Sequence, residues 1–206
     1  PRRWSRLRAP RALHALQGLF ALETKHLVAG LADSDERVRE HAVRLSEAAI
    51  IGAGGSGPLA AKLLGMTGDL SPRVRQQLAF TLGDVRSPAR PKALADIIRR
   101  DVESTWMQAA VLSSLTDGAG EVFTTLAHDL RFRSTPGHEE FLRKLVELIG
   151  ARNSYSETRA VLEFVAKPDS QAPIALIVRA LGDGAARAGT TLAVLDKLSD
   201  LKGVFA

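Results

Sequence analysis

The chain contains no cysteine among its 206 residues. Disulfides, thiolate zinc centres and a covalently attached c-type haem are therefore excluded from this stretch, and the compartment is left undecided. Long apolar runs are missing too. The longest uncharged stretch, near residues 48–61, is short and glycine-rich, so no membrane insertion is expected. With no initiating Met and no signal-peptide pattern, the sequence reads as a soluble fragment of something larger. His14, His26, His41, His128 and His138 show neither H-x-x-x-H nor H-E-x-x-H spacing, so no metal ligand set is expected. Ser113, Ser114, Ser154 and Ser156 lack the strand-to-helix elbow of a nucleophile. Glu139 and Glu140 point in different directions on a helix and suit its first turn. No catalytic residue and no cofactor is expected, and the segment reads as non-enzymatic.

Acidic residues are absent before Glu23, whereas Arg2, Arg3, Arg6, Arg8 and Arg11 crowd the start. The net charge of +5 and the pI near 10.0 therefore come from residues 1–11; the remainder carries 23 basic and 23 acidic residues. Residues 1–11 are assigned as a basic arm or linker and residues 12–206 as the folded domain. The arginines, with Trp4 available to stack, motivate a nucleic-acid-binding alternative. The balanced body argues against it, because phosphate contacts dominate such affinity and need a basic surface.

Strand-like alternation is also absent, and apolar residues recur at helical spacing almost throughout. An internal register accompanies them. "DSDERVREHAVRLSE" starts at Asp33 and "DLSPRVRQQLAFTLG" at Asp69, an offset of 36 residues that Val38 and Val74 share. The frame continues through Met107, Val111 and Leu115, then Phe141, Leu145 and Ile149, then Ile174, Val178 and Gly182, at intervals of 33, 34 and 33. Periods of this size signal stacked units, none able to bury its apolar face alone. Second helices are expected near residues 58–66, 91–100, 119–130, 154–166 and 190–201. Pro58, Pro72, Pro91 and Pro136 suit first turns, Ser154 with Glu157 has capping-box spacing, and Gly83, Gly118, Gly150 and Gly182 suit helix stops. Trp106 is expected to seal the core between units.

With helix, turn and helix in each unit, the chain resembles the HEAT-repeat family. That resemblance implies an all-α fold, a right-handed α-α superhelix of about five to six helix pairs. Its most specific carriers are Asp33 with Val38 and Arg39, and Asp69 with Val74 and Arg75. In that family such Asp and Arg residues form a ladder between neighbouring units. Asp accepts turn N–H groups, and a partly buried Arg offers several donors to the next turn's carboxylate. Gln108 stands in the Arg place of the third unit and Thr135 or Pro136 near the turn of the fourth, so the ladder is expected to fail after the second pair.

This register also places "IIGAGGSGPLAAKLL", residues 50–64, whose Gly52, Gly54 and Gly57 match the G-x-G-x-x-G of a dinucleotide site. Asp69, at the distance of a ribose acid, is instead the repeat partner of Asp33. The stretch is read as a loop between helices, and Lys62 completes no phosphate loop.

Positions two and six beyond Val38, Val74, Met107 and Phe141 point away from the core at 100° per residue. Glu40 and Arg44, Gln76 and Phe80, Ala109 and Ser113, and Arg143 and Glu147 thus form a stripe suited to a protein segment anchored near Phe80. Its two Arg and two Glu give a phosphate backbone no net attraction. "ALHALQGL", "LADSDERVREHAVRLSE", "RQQLAFTLGDV", "AAVLSSL" and "FLRKLVELIGAR" further resemble the HEAT-like segment of large planctomycete-type membrane-bound dehydrogenase and haem-binding proteins. There the segment lies between a propeller-shaped, sorbosone-dehydrogenase-like domain and a c-type cytochrome module. The resemblance implies a scaffold for a protein partner or adjoining domains of the same polypeptide, in a periplasmic or cell-envelope redox protein. No catalytic or haem-ligating residue carries over, since C-x-x-C-H is absent.

Overall fold

Helices start where the sequence supplies residues that need no intrahelical partner. Pro58 and Pro72 are the first residues of their helices, and Pro91 is the second of another, positions where the missing N–H costs nothing. Asp35 accepts the Arg37 N–H, and Ser104 the Met107 N–H, as N-caps. The computed structural model describes residues 8–167 and 173–191. Among these residues there are twelve α-helices and no strand, so the protein is all-α. The chain divides into two units, Pro1–Ile97 and Ile98–Ala206, with the division inside a helix.

The first unit holds α1 (Arg8–Gly18), α2 (Thr24–Leu31), α3 (Glu36–Gly52), α4 (Pro58–Leu64), α5 (Pro72–Thr81) and the start of α6 (Arg90–Asp101). Helix α3 is the hub and packs against α1, α2 and α5. Its Val38, Ala42 and Ile50 are buried, as are Val74, Leu78 and Leu82 of the next register member. Each buried Val, Leu or Ile side chain is worth about 1.5–3 kcal/mol relative to exposure.

The second unit takes the rest of α6, then α7 (Thr105–Ser114), α8 (Ala119–Ala127), the single turn α9 (Leu130–Arg133), α10 (His138–Arg152), α11 (Tyr155–Ala166) and α12 (Ile174–Arg187). Helix α10 packs against α12, and α8 against α11. Phe123 meets Phe164 edge-on with ring centroids 5.4 Å apart, and Phe132 meets Phe141 at 6.3 Å, geometries that add to simple area burial.

Several expectations need correction. Gly150 and Gly182 lie inside α10 and α12, Gly83 lies in a 3-10 turn, and Gly118, at φ 76°, starts α8 rather than ending a helix. Gly150 allows a close crossing instead: a Cβ there would stand 2.6 Å from the Leu181 carbonyl oxygen and 3.0 Å from the Ala185 nitrogen. A Cβ on Gly184 would strike the Glu147 carbonyl. The fifth frame is therefore shifted by three. Ile177, Leu181 and Ala185 are buried, while Ile174, Val178 and Gly182 are half-exposed. Trp106 is 74% exposed and seals nothing. Ser154 makes no side-chain cap bond to α11, and Glu157 instead accepts the Ala119 N–H of α8 at 2.8 Å. Helix α1 starts at Arg8, inside the segment assigned as an arm, whose first seven residues, Trp4 among them, lie outside the described residues. Most of the candidate helix at 190–201 also lies outside them.

Candidate functional site

The glycine stretch has the simplest geometry. Helix α3 runs through Ile50 and Ile51 to Gly52, so no strand precedes the glycines. Gly54, Gly55 and Gly57 adopt φ of 68°, 81° and 101°, a region that only glycine enters without strain. The Gly55 carbonyl accepts the Arg86 N–H at 2.7 Å, and a Cβ on Gly55 would lie 2.8 Å from the Asp84 carbonyl oxygen. The connection is thus docked on the segment after α5, by backbone.

The repeated Asp and Arg residues build a relay through the first unit. Arg39 Nε donates to Asp69 Oδ2 at 2.7 Å and Nη2 to Oδ1 at 2.9 Å, while Nη1 reaches the carbonyls of Asp33 at 2.9 Å and Ser34 at 3.1 Å. This forked contact is the geometry in which a guanidinium binds a carboxylate best. Asp33 Oδ1 accepts the Asp35 N–H at 2.8 Å and Asp69 Oδ1 the Ser71 N–H at 2.9 Å, so both acids close the same two-residue turn. Arg75 donates to the backbone carbonyl of Asp69, and the Asp69 carboxylate is held by Arg39 from the preceding register member. Burial pushes the Asp69 carboxyl up. Hydrogen bonds from Arg39 and the Ser71 N–H, with the charges of Arg39 and Arg75, outweigh it and leave its pKa below the ordinary value.

Beyond the second pair the pattern changes chemistry. Gln108 is buried and donates Nε2 to the Val102 carbonyl at 2.7 Å, and its Oε1 accepts Lys144 Nζ at 3.1 Å. A third charged turn was not anticipated from the register: Asp129 caps α9, accepting the N–H groups of Arg131 and Phe132, and accepts Arg99 Nε at 2.7 Å. Arg99 precedes Asp129 by 30 residues, the separation of Arg39 from Asp69. The shared "DL" of Asp69–Leu70 and Asp129–Leu130 was the available signal.

Of the predicted stripe, Glu40, Arg44, Gln76 and Phe80 lie on α3 and α5. Arg44 is exposed, Phe80 is 45% exposed, Gln76 is half-buried, and Glu40 accepts Arg73 Nε at 3.1 Å. In the second unit, the exposed Ser113 turns its hydroxyl to the Ala110 carbonyl. Glu147 departs from the outward direction expected of it. It is 9% exposed, because α12 covers that side of α10, and it accepts Arg143 and Arg187. Arg143 also binds Glu140 at 2.9 and 2.8 Å. This hydrogen bond, against slight burial, takes the Glu140 carboxyl down to about 2.

Arg143 and Glu147 line a cleft of about 440 Å³ between α10 and α12, with Ala175, Leu176 and Ala180 as apolar lining and Arg179 and Asp183 beside them. Neither Arg179 nor Asp183 makes an ion pair among the described residues. The cleft thus carries two cations and two anions around an apolar surface, volume enough for one or two side chains. No group of three or more His, Asp or Glu residues arranged to hold a metal ion occurs among the described residues, and none of their helices is long and apolar enough to cross a membrane. One pair is nevertheless brought together from far apart in sequence: His14 Nε2 and His41 Nδ1 lie 3.0 Å apart.

No protein-family model, curated protein or solved structure matches this chain.

Proposed function

We propose that the chain is a non-catalytic, HEAT-like helical-repeat scaffold that docks a protein segment or an adjoining domain of its own polypeptide. The observation that carries this reading is the α10–α12 cleft. Its apolar lining and its balance of Arg143 and Arg179 against Glu147 and Asp183 suit a polypeptide, which offers apolar anchors and charges of both signs. A phosphate backbone gains nothing from a net charge of zero. The Arg39–Asp69 contact between register members 36 residues apart supports the stacked-repeat part of the reading. The half-exposed Phe80 beside Gln76 on α5 is the second anchor.

The test is photo-crosslinking in the native host from a benzophenone side chain placed at Leu176, at Gln76 and, as control, at the exposed Ser56. Discrete polypeptide adducts from the first two and none from Ser56 are expected. Phe80→Ala in the chain that carries the benzophenone at Gln76 should then weaken that adduct while the melting temperature stays nearly unchanged. Equal labelling at all three positions, or tight binding of a labelled DNA duplex at physiological salt, overturns the scaffold reading.

A further inference from the structure

His14 sits on α1, exposed, and His41 on α3, half-buried. Their facing nitrogens, 3.0 Å apart, share a hydrogen bond, and the rings meet edge-on with centroids 4.9 Å apart. Two imidazole nitrogens bound to one ion at about 2.0–2.1 Å, with an angle near 90° between them, are separated by about 2.9 Å. A tetragonal ion asks for that angle, and imidazole pairs in tetragonal N,O surroundings select Cu(II) or Ni(II). We propose that His14 and His41 form a two-point chelate for a divalent late transition metal, Cu(II) most tightly, which clamps α1 onto α3.

The proton balance is simple. In the hydrogen-bonded neutral pair one facing nitrogen carries a proton; on metal binding that proton moves to the ring's other nitrogen through solvent, and none is released. Among the described residues no third acid or imidazole completes a closed cage, so water fills the other positions and the ion exchanges freely. The clamp has a mechanical consequence because α1 is lightly held: of its described side chains, Leu13 is the one buried.

The experiment is titration of the tag-free chain with Cu(II), Ni(II) and Zn(II) salts, with the variants His14→Ala and His41→Ala. One ion per chain is expected, tightest for Cu(II), with each variant weakening Cu(II) at least tenfold. The Cu(II) electron paramagnetic resonance spectrum should show two equatorial nitrogens, and amide exchange in α1 should slow when metal is added. His14 is exposed, so His14→Ala tests the site without endangering the fold. Cu(II) affinity unchanged in His14→Ala, a single-nitrogen spectrum, or α1 exchange indifferent to metal overturns the proposal.

Discussion

Gln108 donates to the carbonyl of Val102, six residues earlier, at 2.7 Å, the bond that Arg39 makes to the carbonyl of Asp33 at 2.9 Å. Arg75 makes it to Asp69. The third register member thus keeps the contact to its own turn and gives up the forked grip on a carboxylate, substituting a neutral amide that Lys144 then engages. Gln108→Leu leaves the Val102 carbonyl without that donor and should cost about 1–2 kcal/mol in urea unfolding. Gln108→Arg should be tolerated less well than the charge-free amide, because a buried guanidinium there would meet Lys144 rather than an acid.

Asp69→Ala removes the acceptor that holds two donors of Arg39 and the Ser71 N–H. A loss of roughly 1–3 kcal/mol is expected, from donors left without a partner. In a double-mutant cycle, Arg39→Ala with Asp69→Ala should be well below additive, since either change already breaks the fork. Additive losses would mean that the two residues act separately.

Where α10 and α12 cross, there is no room for a methyl group. Gly184→Ala and Gly150→Ala should each destabilise by about 1–3 kcal/mol, the usual range for overpacking. Gly52→Ala is the control: nothing lies within 4 Å of a Cβ at that position. Its effect on the unfolding midpoint should be neutral or slightly stabilising, because alanine is the better helix former.

His41 and several carboxylates, Asp69, Asp129 and Glu140 among them, make stability depend on pH, all in the same direction. His41 has a folded pKa below its unfolded one, so the unfolded chain binds the proton more readily, and stability falls as the pH drops below about 6.5. Asp69, also lowered in the fold, contributes stability that is complete above about pH 4 and lost as the pH falls through its folded value. Melting temperatures measured with a chelator present should show two steps on acidification. His41→Gln should remove the upper one and Asp69→Asn should diminish the lower, to which Asp129 and Glu140 also contribute.

The helical class and four of the five register members were readable because an apolar residue every third or fourth position has one physical solution, a buried helix face. Val38, Val74, Met107 and Phe141 are all buried. The fifth member was misread because α12 buries Ala180, Gly184 and Ala185, small residues that close approach selects and that carry little hydrophobic signal. For the same reason Gly150 looked like a stop. At the candidate site, Glu147 was misplaced because a helix wheel knows nothing of a second helix covering the outer face. The His14–His41 pair and the Arg99–Asp129 pair were invisible to local spacing, since each joins residues about 30 positions apart.

The Arg39–Asp69 contact also gives the first unit a direction in time. During synthesis the arginine leaves the ribosome before the acid, so the guanidinium is in position when the next turn arrives to be shaped by it. A chain shortened from its C-terminal side keeps every donor solvated and every turn intact up to the cut. Shortened from the N-terminal side past Arg39, it begins with Asp69 unclasped. Within the first unit, turns should therefore survive trimming from the C-terminal side better than trimming past Arg39 from the other.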